Sequence, residues 1–281
     1  MTLKDSWSHF IFHICKCLLE FATRGKHDVR ALMFFLENKA SEAAPSHFRE
    51  TLNVPRPSRV TRSPWARCSD SQIEIYSSDL DFQGILTEEG DIAKSGRPLR
   101  GVPYHIMQDS HGNIWIATKG DGIILAEKEG THFKFTRFKY DEDDIYSLSH
   151  NSVYWLHEDK HGRIWVATFG GGLNYIQKTP EGKYVFISSR NNLKGFPYDR
   201  CYRVRHITSD KKGNIWVGSS DGALSFKEDF KDPESIVFHL YARIPDDMNC
   251  LSNNNVYRIV TTSQGEVYLA TFGGGLNRLV P

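Results

Sequence analysis

The sequence predicts an all-β fold: a partial β-propeller of about four four-stranded antiparallel blades, preceded by a short helical N-terminal segment. Three observations carry this. A short segment recurs four times without gaps, as Asp109–Thr118, Asp159–Thr168, Asp210–Ser219 and Thr262–Thr271. Its aromatic positions, Trp115, Trp165, Trp216 and Tyr268, are 50, 51 and 52 residues apart, the period of a repeat architecture. Within each unit, glycine-bearing turns separate short runs rich in β-branched and aromatic residues.

Residues 1–50 match none of the repeats. Phe10, Ile14, Cys17, Leu18 and Phe21 follow helical spacing, and Ala31–Glu37 reads as a second helix. His13 and Lys16 interrupt the apolar run and Glu20 closes it, so it reads poorly as a secretory leader. No run of about 18 apolar residues predicts a membrane-spanning helix. Residues 51–70 read as a linker or extended arm, because Pro55, Pro57 and Pro64 rule out a regular helix or central strand. The interleaved Arg56, Arg59, Arg62 and Arg67 either meet an anionic partner or stay solvated.

The propeller region is 71–281, with repeats near 101–148, 149–199, 200–250 and 251–281. In the second repeat a first strand, Val153–Leu156, leads to the Asp-x-x-Gly turn around Gly162. Ile164–Thr168 follows, apolar at successive positions, which predicts a strand buried on both faces. A glycine hairpin, Phe169–Gly172, leads into Leu173–Ile176, and Tyr184–Ile187 reads as the outer strand. Phe133–Tyr140 and Ile236–Tyr241 are the outer strands of neighbouring repeats. Gly112, Gly162, Gly213 and Gly265 are turn glycines, and Trp115, Trp165, Trp216 and Tyr268 are packing residues between blades. Asp109, Asp159 and Asp210 read as turn residues. Ser71–Leu86 reads as the outer strands of an earlier blade lacking its inner strands, and the last repeat ends after a third strand. The chain therefore reads as a fragment whose open blade faces favour self-association or completion by further blades or a second propeller.

The pattern Leu148-Ser-His-Asn-Ser-Val153, the Asp159–Thr168 core and Gly170-Gly-Gly-Leu-Asn174 resembles the two-component regulator propeller repeat. It recurs as Leu251–Val256 and Gly273–Asn277. The third copy departs at Cys201–Val204, and the fourth has Thr262 for Asp and Tyr268 for Trp. The resemblance implies the periplasmic sensor region of a hybrid two-component histidine kinase, attached to the inner membrane in the full-length protein, sensing glycan breakdown products. No kinase or receiver segment is recognisable here, so the resemblance implies no catalysis by this chain. Alternatives are a propeller lyase of the streptogramin lyase type and a plain protein-interaction propeller.

Chain order places the entry to each first strand and the hairpin between strands two and three at one end of each blade. His150, Asn151, Phe169, Tyr198, Arg200, Tyr202, Asn254, Asn255 and Phe272, with Asp121 and Asp221, are therefore the candidate rim for an oligosaccharide. Asn151 and Asn254 can equally hold turns through side-chain-to-backbone bonds. An incomplete ring would lack part of the wall of such a site, so weak or no glycan binding by this chain by itself is expected. With 35 basic and 34 acidic residues, charge balance gives no reason to expect nucleic acid. Five scattered cysteines form no disulfide or zinc pattern, and Asp141–Asp144 lacks the spacing of a calcium loop, so no metal or cofactor is assigned.

Overall fold

The recurring core forms the same two-strand unit each time, and the sheets grow outward from it. The computed structural model describes residues 65–68, 72–77, 81–262 and 264–280. The expected helices within residues 1–50, Cys15, Cys17 and most of the 51–70 segment lie outside the described residues.

Five antiparallel sheets follow in chain order. Sheet 1 holds β1 (Trp65–Cys68), β2 (Ile73–Tyr76), β3 (Phe82–Leu86) and β4 (Ile92–Ala93). Sheet 2 holds β5 (Val102–Gln108), β6 (Ile114–Lys119), β7 (Ile123–Glu129) and β8 (His132–Phe138). Sheet 3 holds β9 (Val153–Glu158), β10 (Ile164–Thr168), β11 (Gly172–Lys178) and β12 (Tyr184–Ser188). Sheet 4 holds β13 (Val204–Ser209), β14 (Asn214–Ser219), β15 (Gly222–Lys227) and β16 (His239–Tyr241). Sheet 5 has three strands, β17 (Val256–Thr261), β18 (Val267–Thr271) and β19 (Gly275–Leu279). Each is a simple meander, and the first strands β1, β5, β9, β13 and β17 neighbour one another in that order, as the inner strands of a propeller do.

Two expectations need correction. Ser71–Leu86 is not a pair of outer strands without inner ones: with β1 and β4 it completes a four-stranded sheet, giving five sheets where four were expected. β1 also runs through the end of the segment read as linker, directly after Pro64, because a four-residue strand is too short to outweigh the surrounding proline and arginine signal. One helical turn, α1 (Tyr198–Cys201), precedes β13 and was not foreseen.

The Asp-x-x-Gly turns explain why their residues recur together. Gly112, Gly162, Gly213 and Gly265 have φ of 87°, 75°, 73° and 85°, a region that costs glycine no steric strain. Asp109 Oδ1 accepts the N–H groups of His111 and Asn113, while Oδ2 accepts the Trp115 indole N–H at 2.8 Å. The same bond joins Trp165 to Asp159 (2.9 Å) and Trp216 to Asp210 (2.8 Å). Burial opposes ionisation of Asp109, but its indole, amide and backbone donors hold the carboxyl below its ordinary range. In sheet 5 the pair is lost together: Thr262 replaces the acid, and the Tyr268 hydroxyl donates to Glu266 instead.

Four apolar cores lie between successive sheets. Trp115 fills the core between sheets 2 and 3, Trp165 that between 3 and 4, and Trp216 that between 4 and 5. Strand β10 is buried along its whole length, as its unbroken apolar run predicts. Strand β18 alternates buried and half-buried residues, because the outer face of sheet 5 has no described sheet against it. Backbone bonds add to these cores. Gly120 and Gly122 both donate to the carbonyl of Asn151, Gly170 and Gly172 to that of Tyr202, and Gly222 to that of Asn254. The Leu-Ser and Leu-Asn motifs meet within one sheet: Asn174 accepts from the Ser149 N–H and donates to its hydroxyl, and Asn277 does the same for Ser252.

His157 on β9 reaches Ser209 Oγ of β13 at 2.9 Å. Burial pushes its pKa down to about 4, against the opposing pull of Asp159, Glu228 and Glu158. The unfolded chain therefore takes up this proton first. Its contribution is fully present above about pH 6.5 and is lost as pH falls towards 4. The lost stability is on the order of 2 kcal/mol, below the full value of the shift because part of the ring reaches solvent. Urea midpoints at pH 7 and pH 4.5 should fall further for the parent chain than for His157→Gln. Coincident pH profiles would mean that His157 is not held neutral in the fold.

Candidate functional site

Four of the inner-strand pairings carry an irregularity at the same place. The register shifts between Pro103 and His105, beside Val153, between Val204 and His206, and between Val256 and Arg258. One residue of each of these four first strands is thereby skipped by the cross-strand register: Tyr104, Tyr154, Arg205 and Tyr257. Such bulges bend a strand and re-aim a side chain, and they concentrate next to functional sites. These four residues occupy one slot of the repeat, at the end where the chain enters each first strand.

Together with the second-to-third-strand hairpins they form a continuous stack. Tyr104 lies on Tyr154 at 4.4 Å and 19°, and Tyr154 on Phe169 at 4.8 Å and 8°. The Arg205 guanidinium lies 4.8 Å from the Phe169 ring and 4.2 Å from that of Tyr257. Tyr257 meets Phe272 at 5.8 Å. Tyr104 and Phe272, at the two ends, are 47% and 55% exposed. Burial and the neighbouring Tyr154 phenol push the Tyr104 hydroxyl above its ordinary range, against the opposing pull of Lys119. A second guanidinium, that of Arg203, lies over Phe169 and Tyr202 at 5.6 and 4.9 Å.

One residue further along each first strand, a second tier is knitted across sheets. His105 stacks on Trp155 at 3.7 Å, Trp155 meets His206 at 4.4 Å, and Arg258 lies over Trp155 at 4.6 Å. His105 Nδ1 accepts the Leu156 N–H, and His206 Nδ1 accepts that of Ile259. These imidazoles fasten one inner strand to the next.

The rim residues expected from the sequence divide into two groups. Phe169 and Phe272 join the stack. Tyr198 is exposed and donates its hydroxyl to the Gly170 carbonyl, while His150 packs beside the same glycine and accepts the Ser152 N–H. Burial lowers the pKa of His150. The remainder serve the scaffold. Asn151 Oδ1 accepts from Tyr140, and Asn254 accepts from Arg243 and donates to Asp221. The carbonyls of both residues, like that of Tyr202, receive the inter-sheet bonds described above. Asn255 accepts the Phe272 N–H through its backbone, and its Oδ1 is buried without a donor. Arg200 is taken up by Asp221, and Asp121 by Arg137 and Lys139. Asp141 and Asp144 cap their own loop by accepting the N–H groups of Asp143 and Tyr146. Sequence reasoning missed Tyr104, Tyr154, Arg205 and Tyr257, although each directly follows the first inward-facing residue of its strand at the repeat spacing.

The two component regulator propeller family matches this chain at residues 99–120 and 147–170. A search of curated protein sequences finds no match. Among solved structures, the extracellular domain of the putative hybrid two component system BT3049 from B. thetaiotaomicron is 22% identical with a TM-score of 0.49. The match covers 83% of this chain and 29% of that one, so the chain spans under a third of that domain. PorZ, a surface component of the type-IX secretion system of Porphyromonas gingivalis, is 14% identical with a TM-score of 0.50, over 76% of this chain and 31% of its own. A catalytically inactive virginiamycin B lyase from Staphylococcus aureus, solved with Quinupristin, is 14% identical with a TM-score of 0.44, over 81% and 73%. At these identities the likeness is one of fold.

Proposed function

We propose that this chain, which carries two-component regulator propeller repeats, is a ligand-sensing propeller segment of a hybrid two-component sensor. The observation that carries the reading is the family match at residues 99–120 and 147–170, which falls on the two sheets that open the aromatic stack. Under this reading the segment works outside the cytoplasm, and its ligand is a glycan breakdown product. The stack is suited to that role: ring edges, phenol hydroxyls and guanidinium groups recognise a polar ligand without reacting with it.

The lyase reading asks for a histidine poised with an acid at the axis. His105 and His206 instead accept backbone N–H groups and pack on Trp155, which favours a structural role. Among the described residues His161 pairs with Asp229 and His132 with Asp91, but both pairs are exposed and away from the inner strands. Calorimetry and chromatography with a panel of plant and host oligosaccharides test the proposal. Saturable binding with the ligand recovered intact is the expected result. Conversion of any ligand to product would replace the sensor reading with an enzymatic one.

A further inference from the structure

Two guanidinium groups of the site, those of Arg203 and Arg205, have no acid paired with them among the described residues. Arg205 is held between Phe169 and Tyr257, and its Nε is closed off from solvent without an acceptor. Arg203 lies over the same Phe169 from the adjoining position. Among the described residues, neither forms an ion pair. Their neighbours differ in this respect: Arg200 is paired with Asp221, and Arg137 with Glu88 and Asp121. Asp121 and Asp221 are thus paired with other cations and not with Arg203 or Arg205. Cation–π contact offsets part of the cost of an enclosed cation. Side-chain entropy gives the same indication. Two aromatic faces clamp Arg205 in place, so an incoming anion meets a donor that is already ordered. A guanidinium presents paired N–H donors whose geometry matches a planar carboxylate.

We infer that the stack binds an acidic saccharide, a sugar acid whose carboxylate pairs with Arg205 beside Arg203 while its hydroxyls meet the phenols of Tyr104 and Tyr154. This rests on the sensor reading and narrows it to one ligand class. The groups involved belong to sheets 2–5 of this chain.

The test is calorimetry on the full chain with trigalacturonic acid and with its methyl ester, which keeps the shape and removes the charge. The acid is expected to bind at least about tenfold more tightly than the ester. That preference should shrink in about 0.5 M sodium chloride, which screens the pairing, and disappear in Arg205→Met. If Arg205→Met fails to fold, Arg203→Met carries the test, since that side chain is exposed; it should reduce the preference by about threefold. Equal binding of acid and ester would overturn the inference and leave the sensor reading standing. Displacement of the acid by an equal concentration of inorganic sulfate would reveal a general anion site and overturn the sugar assignment. No binding of acid or ester would overturn the inference, and the neutral oligosaccharide panel would then judge the sensor reading separately.

Discussion

Trp165→Ala is expected to lower the stability of the propeller segment by about 3–5 kcal/mol, the usual cost of truncating a fully buried large aromatic. The indole is 0% exposed and touches Tyr175 and Phe226 at 4.9 Å, so its removal opens a cavity where sheets 3 and 4 meet. It also removes one of the two donors to Asp159 Oδ2, leaving that of Arg163. His161→Ala, four residues earlier, deletes a half-exposed ring paired with Asp229 at the surface, and should change stability by no more than about 0.5 kcal/mol. Thermal melts of the two variants should differ by roughly 10 °C for a segment of this size. Equal melting temperatures would remove the inter-sheet role assigned to the tryptophan.

Gly122→Ala and Gly275→Ala should separate just as clearly. The two glycines occupy the same repeat position with nearly the same φ, 77° and 75°. Both substitutions therefore carry the left-handed strain of about 1 kcal/mol. At Gly122 an added Cβ would also fall 2.1 Å from the Phe138 carbonyl oxygen, on the fourth strand of the same sheet. At Gly275, on the three-stranded sheet, it would meet nothing within 4 Å. The first variant should lose several kcal/mol, if it folds at all, and the second only about 1. Chemical denaturation measures the difference. Similar losses would mean that the contact with β8 does not constrain the hairpin.

The periodic parts of this fold were legible because they repeat physical requirements. An acid three residues before a glycine, a tryptophan three residues after it and an apolar strand recur in sheets 2, 3 and 4, where each serves a turn and an inter-sheet core. The alternative given for Asn151 and Asn254, that they hold turns, was also readable, since their type and position suit side-chain-to-backbone bonds. What stayed hidden was β1, four residues long and immersed in proline and arginine. The bulged slot stayed hidden for a different reason. Its occupants, Tyr104, Tyr154, Arg205 and Tyr257, do not share a residue type, and a bulge leaves no mark in composition. Only the pairing registers reveal that these residues form a class.

That register irregularity has a consequence for how such a propeller can change. A residue in a regular strand position answers to a partner across the ladder, so replacing it disturbs two strands. The ladder register skips the bulged residues and closes on either side of them. Sheets 2 to 5 therefore each offer one position whose identity can be rewritten with little effect on the sheet that displays it. Four such positions, read side by side, amount to a short interchangeable code at the mouth of an otherwise constant frame. Exchanging Arg205 for the tyrosine that two neighbouring blades carry is, in this sense, a change of message and not of architecture.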